Sequence, residues 1–403
     1  MPTLDPAAQL AAVTLRCNQA ISFLEGRETT FVERLRRLVD CNSGLDNPAG
    51  RLQCLAMIER VYERLGFSCE RIARQGDMVH LRAHRPALRP GAPKILILGH
   101  FDTVYDTTSS FQVMTQEGPW LHGPGVGDMK GGLVVAQAML EAMAHIGQLD
   151  AFDWLCVHNA DEEIQSPTSR DLIEQAAVGR DVCLDFEIGR KTGALVRSRA
   201  GVGRYFVTVQ GKSAHAGMDH AAGVNAIVGA SKLVLALTDL AAPAKGTTIN
   251  VGVIRGGTKR NIVPDECKIE VDVRITTPSE AARIEREVRE LMDHPPIAGT
   301  RVTCIGGIGR PPWQRNAACD QLIDHFQATA KLWEFTLGAE DTGGGSDANF
   351  TAALGIPTVD GLGPVGEHPH TIDERISRHT LVERAKLVVL ALSTLQPPAP
   401  TLN

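Results

Sequence analysis

Short apolar runs alternate with longer stretches of helical spacing through the first half of the chain. Lys94–Gly99 (KILILG), Phe152–His158 (FDWLCVH) and Val182–Phe186 (VCLDF) are hydrophobic runs of strand length. Such runs suit strands covered on both faces, as in a mainly parallel sheet. Between them, Met129–Ile146 has the length and Ala/Leu/Met content of a packed helix, and Ser169–Ala177 that of a shorter one. Strands alternating with helices predict βαβ units and an α/β domain whose parallel sheet is flanked by helices.

The pattern changes near Arg199. Arg204–Gln210 and Thr247–Ile254 are strand-like, and Cys267–Ile275 alternates: Ile269, Val271, Val273 and Ile275 face one way, and Lys268, Glu270, Asp272 and Arg274 the other. One open face is typical of an antiparallel α+β unit. Two helices accompany it, Ala222–Leu240 and Pro278–Met292, the second opened by a capping box, Thr277-Pro278-Ser279-Glu280. Helix and strand alternation resumes after Pro312, with a helix at Asp320–Trp333 and a buried strand at Pro357–Asp360. The expected organisation is an α/β domain in two segments, 1–198 and 311–403, with an antiparallel α+β domain inserted at 199–310. The tail Pro397–Asn403 reads as frayed.

Composition narrows the class. Hydrophobic residues at 43% and charged residues at 22% of 403 exclude a disordered chain. The formal net charge, 41 − 47 = −6, argues against nucleic-acid binding, which needs a basic patch. No stretch approaches the ~18–20 apolar residues of a membrane span. Asp5 and Pro6 stand where a signal peptide would carry basic residues, and the nine cysteines form no CxxC pair, so a reducing cytoplasm is expected.

Acids and histidines gather at the C-terminal ends of the predicted strands, where open α/β sheets place their sites. Lys94–Gly99 runs into His100-Phe101-Asp102, and residues two apart in an extended segment project to one side. A carboxylate there can fix which nitrogen of the imidazole coordinates a metal; alone, the pair also reads as a surface histidine beside a turn acid. The glycine-dense GPGVGDMKGG at 123–132 fails as a nucleotide loop, because Lys130 falls at the last glycine of GxGxxG and GxxxxGK[S/T] is absent. That demotes a nicotinamide oxidoreductase. The glycines could instead let backbone crowd a site into which Asp128 projects, or Asp128 could simply cap the helix. Asp161-Glu162-Glu163 follows a buried strand, and adjacent carboxylates repel unless solvated or bound to a cation. Asp185-Phe186-Glu187 ends another strand, and His368-Pro369-His370-Thr371-Ile372-Asp373-Glu374 lies in the last quarter. Two imidazoles and three carboxylates without a thiolate suit a dinuclear hydrolytic site. Two metals ~3.5–4 Å apart need one bridging carboxylate plus a histidine and a carboxylate each, and a further Glu to take the proton of the attacking water.

In this order the motifs GHFDTVY (99–105), GPGVGDMKGG, NADEE (159–163), DFE (185–187), GKSAHAG (211–217), RNIVP (260–264), VDVR (271–274), TGGGSDA (342–348) and HTIDERI (370–376) resemble the dinuclear-zinc carboxypeptidase/aminoacylase family, over nearly the whole chain. The family includes acetylornithine deacetylases and succinyl-diaminopimelate desuccinylases. GKSAHAG, TGGGSD and Glu187 are most similar to its glutamate carboxypeptidase branch. The resemblance implies that Asp128 bridges two Zn2+ ions, with Co2+ or Mn2+ as alternatives. It pairs His100 and Glu187 on one ion and Glu163 and His370 on the other, His370 preferred over His368. Glu162 would be the general base and Asp102 the orienting partner of His100. His215 would polarise the scissile carbonyl, with Asn261, Arg274 and Gly344 positioning substrate. The bidentate fork of Arg274 suits a substrate carboxylate, but Asp272 or Glu270 on the same strand face is an equal alternative.

The expected activity is that of a homodimeric metallopeptidase of carboxypeptidase type, dimerised through the insert, that hydrolyses an amide bond next to a free α-carboxylate, with C-terminal glutamate as the favoured case. The substrate would be a small peptide or N-acyl amino acid. An N-acyl amino acid deacylase or desuccinylase using the same site is the alternative within the class, and a catalytically silent metal-binding relative the alternative outside it.

Overall fold

The computed structural model describes residues 6–395, with side chains from residue 11 onward. The tail Pro397–Asn403 and the first five residues lie outside that range. The chain forms two compact units: one from the residues up to Arg197, Arg315–Asp341 and those from Ser346 on, the other from Ser198–Gln314 and Thr342–Gly345.

The first unit is built on a six-stranded sheet in the order Ser68–Ala73, Val79–Arg85, Asp153–Asn159, Lys94–His100, Val182–Asp185 and Thr358–Val359. The last four strands are mutually parallel, and the first two form an antiparallel edge that the apolar runs do not announce. The reason is visible in the burial of Ser68–Ala73, which is exposed or half-buried throughout. The central runs are covered on both faces. Ile95 and Ile97 join the larger core, which includes the helices Lys130–His145 and Thr380–Thr394, whereas Leu96 and Leu98 pack with Leu172 and Ile173 on the other side. Close approach of helix and sheet backbones explains one glycine: a Cβ on Gly132 would lie 1.7 Å from the Phe186 carbonyl oxygen. Any side chain there would push the helix off the strand end that carries Glu187.

The second unit is a four-stranded antiparallel sheet in the order Thr248–Gly256, Glu266–Ile275, Gly201–Gln210 and Arg301–Arg310. Along Glu266–Ile275, Cys267, Ile269, Val271, Val273 and Ile275 are buried, as the alternation predicts. They pack against Leu233 and Leu237 of the helix Ala226–Asp239 and Ile284 and Val288 of the helix Pro278–Asp293. The first of these helices starts four residues later than expected, because Asn225 caps it by accepting from the Val228 amide at 3.1 Å. The strand Arg301–Arg310 is absent from the sequence reading. Its Gly306 has φ 109°, and a Cβ there would lie 2.0 Å from the Arg204 carbonyl oxygen, so glycines interrupt the alternation that would reveal it.

The capping box before Pro278 closes on one side only. Thr277 Oγ1 accepts from the Glu280 amide at 3.2 Å, but the Glu280 carboxylate turns to Thr247 Oγ1 (2.7 Å) and Arg283 (2.6 Å). The Arg283 fork and the Thr247 hydroxyl hold its pKa down to about 2. A depressed carboxylate stabilises the fold above its unfolded pKa of about 4.3, and that gain vanishes as pH falls toward the folded value. Glu280→Gln should therefore destabilise the chain at pH 7, with the difference from wild type shrinking between pH 5 and 2. Thr277→Ala should cost about 1 kcal/mol across that range. Urea denaturation measures both, and a pH-independent Glu280→Gln deficit would contradict the first.

Candidate metal centre

Asp128 has its two carboxylate oxygens on different partners. Oδ1 lies 3.1 Å from His100 Nε2, and Oδ2 lies 3.1 Å from His370 Nε2. Around the first histidine, Glu187 Oε1 stands 3.7 Å from Nε2; around the second, Glu163 Oε2 stands 3.2 Å away. Asp128 is thus common to two groups, His100–Asp128–Glu187 and Asp128–Glu163–His370, and within each the candidate ligand atoms lie within 4.8 Å of one another. Of the two histidines in the final motif, the structure brings His370 to Asp128. His368 is exposed, 3.7 Å from Glu367.

The backbone delivers these groups from three strand ends and two loops. His100 ends its strand in register with Asn159, the last residue of the parallel neighbour. The next turn carries Glu162 and Glu163, and Glu187 follows the strand Val182–Asp185. Asp102 does more than face His100. Its Oδ1 is 3.2 Å from His100 Nδ1 and also accepts from the Glu162 amide at 3.2 Å, while Oδ2 accepts from the Glu163 amide at 3.0 Å. One buried carboxylate therefore sets the imidazole's orientation and the turn that presents both glutamates. Glu162 Oε2 comes within 4.0 Å of His100 Nε2. Repulsion among the three consecutive acids is relieved because Asp161 turns away, accepting from the Thr168 amide (2.7 Å) and Ser169 Oγ (2.5 Å).

Asp128 is not a helix cap. The helix Lys130–His145 has Met129 at its N-cap position with no side-chain cap, and the Asp128–Met129 peptide is cis. The loop before it is organised by Glu374, a residue to which the sequence reading gives no role beyond its place in the last motif. Glu374 Oε1 accepts from the amides of Gly127 (2.8 Å) and Asp128 (3.1 Å), and Oε2 from that of Gly125 (3.0 Å).

The electrostatics follow from packing several acids out of water. Burial and the Asp128 charge raise Glu187 well above the carboxylate range, and the same two causes raise Glu163. Burial also opposes ionisation of Asp128, yet His100 and His370 hold it well below its usual value. His370 is pushed up to about 11, first by its hydrogen bond to Asp128 and then by Glu163. Burial works against a charge on His100, but Asp102 and Asp128 raise it well above an ordinary histidine. Such a cluster holds protons or cations. Two imidazoles and three carboxylates fit borderline and hard divalent ions.

The remaining expected site residues lie in the second unit. His215 is exposed, and its Nδ1 accepts from the amides of Gly217 (3.2 Å) and Met218 (3.1 Å). Proton placement follows: with Nδ1 an acceptor, the neutral ring carries its hydrogen on Nε2. The Ala216 amide donates to the Asn261 carbonyl at 3.0 Å, so the His215 and Asn261 segments run side by side. Gly344 accepts from Arg199 Nη1 through its carbonyl at 3.0 Å. Arg274 is forked onto Asp272, Nε to Oδ1 at 2.8 Å and Nη2 to Oδ2 at 3.0 Å, which is the same-face pairing of the two readings left open.

Comparison with known proteins carries the same pattern. Residues 197–300 match the sequence profile of the M20 peptidase dimerisation domain. Carboxypeptidase G2 of Pseudomonas sp. (strain RS-16) is 29% identical over 370 residues, covering 90% of this chain and 88% of its own. The chain is thus similar to M20 peptidases over nearly its whole length. Succinyl-diaminopimelate desuccinylase of Xylella fastidiosa (strain 9a5c), 29% identical over 349 residues, covers 80% of this chain and 88% of its own. The fold is that of the M20 metallo-carboxypeptidase Sso-CP2 from Sulfolobus solfataricus, with a TM-score of 0.74 at 15% identity over 90% of this chain and 98% of that one. The chain is a hydrolase with a metal cofactor. Among the described residues no helix is long and apolar enough to cross a membrane.

Because metal ligands must be deprotonated, metal uptake displaces protons held by the cluster. Titration at pH 7 should release about one proton or more per chain, and apparent affinity should rise with pH between about 6 and 8. Calorimetry in buffers of different ionisation enthalpy measures this; pH-independent uptake without proton release would contradict it.

Proposed function

We propose that the chain is a zinc-dependent, carboxypeptidase-type hydrolase that cleaves an amide bond next to a free α-carboxylate. The observation that carries this reading is the split of Asp128 between His100 and His370, each with its own glutamate. Asp128 would be shared by two Zn2+ ions, with His100 and Glu187 on one and Glu163 and His370 on the other. When bound, the ion pair supplies Lewis acidity and lowers the pKa of a water. Co2+ or Mn2+ would suit the same donors.

Glu162 acts as general base. It stands at the rim of the cluster on the turn held by Asp102, takes the proton of the attacking water and returns it to the leaving amine. His215 donates its Nε2 hydrogen to the carbonyl oxygen as negative charge develops there. That role supports a homodimer formed through the inserted domain at 199–310, with His215 serving the partner's site. Arg274 exchanges its Asp272 partner for the substrate carboxylate, a swap between two bidentate pairs of similar geometry. Asn261, beside the His215 segment, and Gly344 position the substrate. Nine free thiols, most of them buried, support a reducing compartment such as the cytoplasm.

A second reading is supported by the desuccinylase relative: an N-acyl amino acid deacylase working with the same residues on an acyl group. A panel of dipeptides ending in glutamate against N-acetyl and N-succinyl amino acids separates the two by kcat/KM. Glu162→Gln should lower kcat by about 10²–10⁴-fold with metal content unchanged, and full activity in that variant would contradict the mechanism. His215→Ala should also lose activity while folded. Mixing it with Glu162→Ala protomers should restore part of the activity, and no recovery in proven mixed dimers would place His215 in its own chain's site.

A further inference from the structure

The segment that carries Asp128 accounts for all its backbone donors in an unusual way. Between Gly123 and Asp128 there are five N–H groups, Pro124 having none. Gly123 donates to the Glu374 carbonyl at 3.3 Å and Val126 to the Gly123 carbonyl at 3.1 Å. The other three, from Gly125, Gly127 and Asp128, converge on the Glu374 carboxylate at 3.0, 2.8 and 3.1 Å. Four of five amides therefore end on one residue at least 246 positions away. Tyr105 completes the arrangement. Its hydroxyl lies 2.8 Å from Glu374 Oε2 and 2.7 Å from the Thr371 carbonyl, sharing one proton between them. The Glu374 amide donates to the same Thr371 carbonyl at 3.1 Å, closing the turn that begins beside His370.

We infer that Glu374 is a positioning residue of the metal centre: its carboxylate templates the loop that aims Asp128 and ties that loop to the turn that presents His370. The inference rests on the dinuclear reading above. Three observations carry it. Glu374 has no exposed surface, and its two oxygens accept all three amides, so the loop's donors converge on one fixed side chain. Gln cannot replace it, since its amide nitrogen would face an N–H donor, from Gly125 on one side or Gly127 and Asp128 on the other. The hub also touches both halves of the site, Asp128 directly and His370 through Thr371, so its loss should disturb both metals at once. A residue serving only the fold would leave their coupling alone.

The test uses the full-length chain and Co2+ alone as probe, with Glu374→Gln, Glu374→Ala and the milder Tyr105→Phe. Readouts are thermal melting, Co2+ stoichiometry and affinity by competition with a chromophoric chelator, and the visible and spin-coupling spectra of the di-cobalt form. We expect wild type to bind two ions that are magnetically coupled. Glu374→Gln should weaken the second ion at least tenfold, lose the coupling signal, and lower kcat far more than it changes KM. Tyr105→Phe should shift affinity in the same direction by about threefold, and it keeps the inference testable if the Glu374 variants do not fold. Variants that fold and load two coupled ions with wild-type affinity would overturn the role of Glu374. Wild type that fails to bind two ions would overturn the dinuclear reading itself.

Discussion

Everything in the first unit's site depends on one carboxylate having two ends. Asp128 presents one oxygen to His100 and the other to His370, and each imidazole brings its own glutamate within reach. That arrangement gathers more negative charge than a buried space holds alone. Burial drives Glu187 and Glu163 toward their neutral forms while the histidines keep Asp128 ionised. A cation with two positive charges on each side of Asp128 meets the same electrostatic demand that protons meet otherwise, and the absence of a thiolate steers the choice toward borderline and hard ions.

The fold supplies this geometry cheaply because parallel strands end together. His100, the Glu162–Ile164 turn and Glu187 all follow strands of one sheet, and their side chains converge without long loops. What the strands cannot do is aim the carboxylates. That falls to two further buried acids that receive backbone amides: Asp102 for the Glu162–Glu163 turn and Glu374 for the Gly125–Asp128 loop. Preorganisation of this kind fixes positions before any substrate arrives, which is where electrostatic catalysis has its advantage.

Much of this was legible in the sequence, and the gaps have physical causes. Apolar runs marked the parallel strands, so the acid and histidine clusters after them fell at known strand ends, and the clean alternation of Glu266–Ile275 revealed its buried face. The roles of Asp161, Asp102 toward the glutamate turn, and Glu374 were invisible because they act on backbone amides, which every residue carries alike. Glu374 also works across 246 positions, a separation no local pattern reports. Glycines with special backbone angles hid the strand Arg301–Arg310. The Arg274–Asp272 fork, by contrast, was one of two readings visible from strand alternation, and only the coordinates show which partner the guanidinium holds.

The account's central claim is that Asp128 is shared by two metal ions. A crystal structure grown with zinc, with diffraction recorded on both sides of the zinc absorption edge, tests it most directly. The account predicts two anomalous peaks ~3.5–4 Å apart, one against His100 and Glu187, the other against His370 and Glu163, with one oxygen of Asp128 on each. A single peak, or two peaks of which either lacks Asp128, would contradict it.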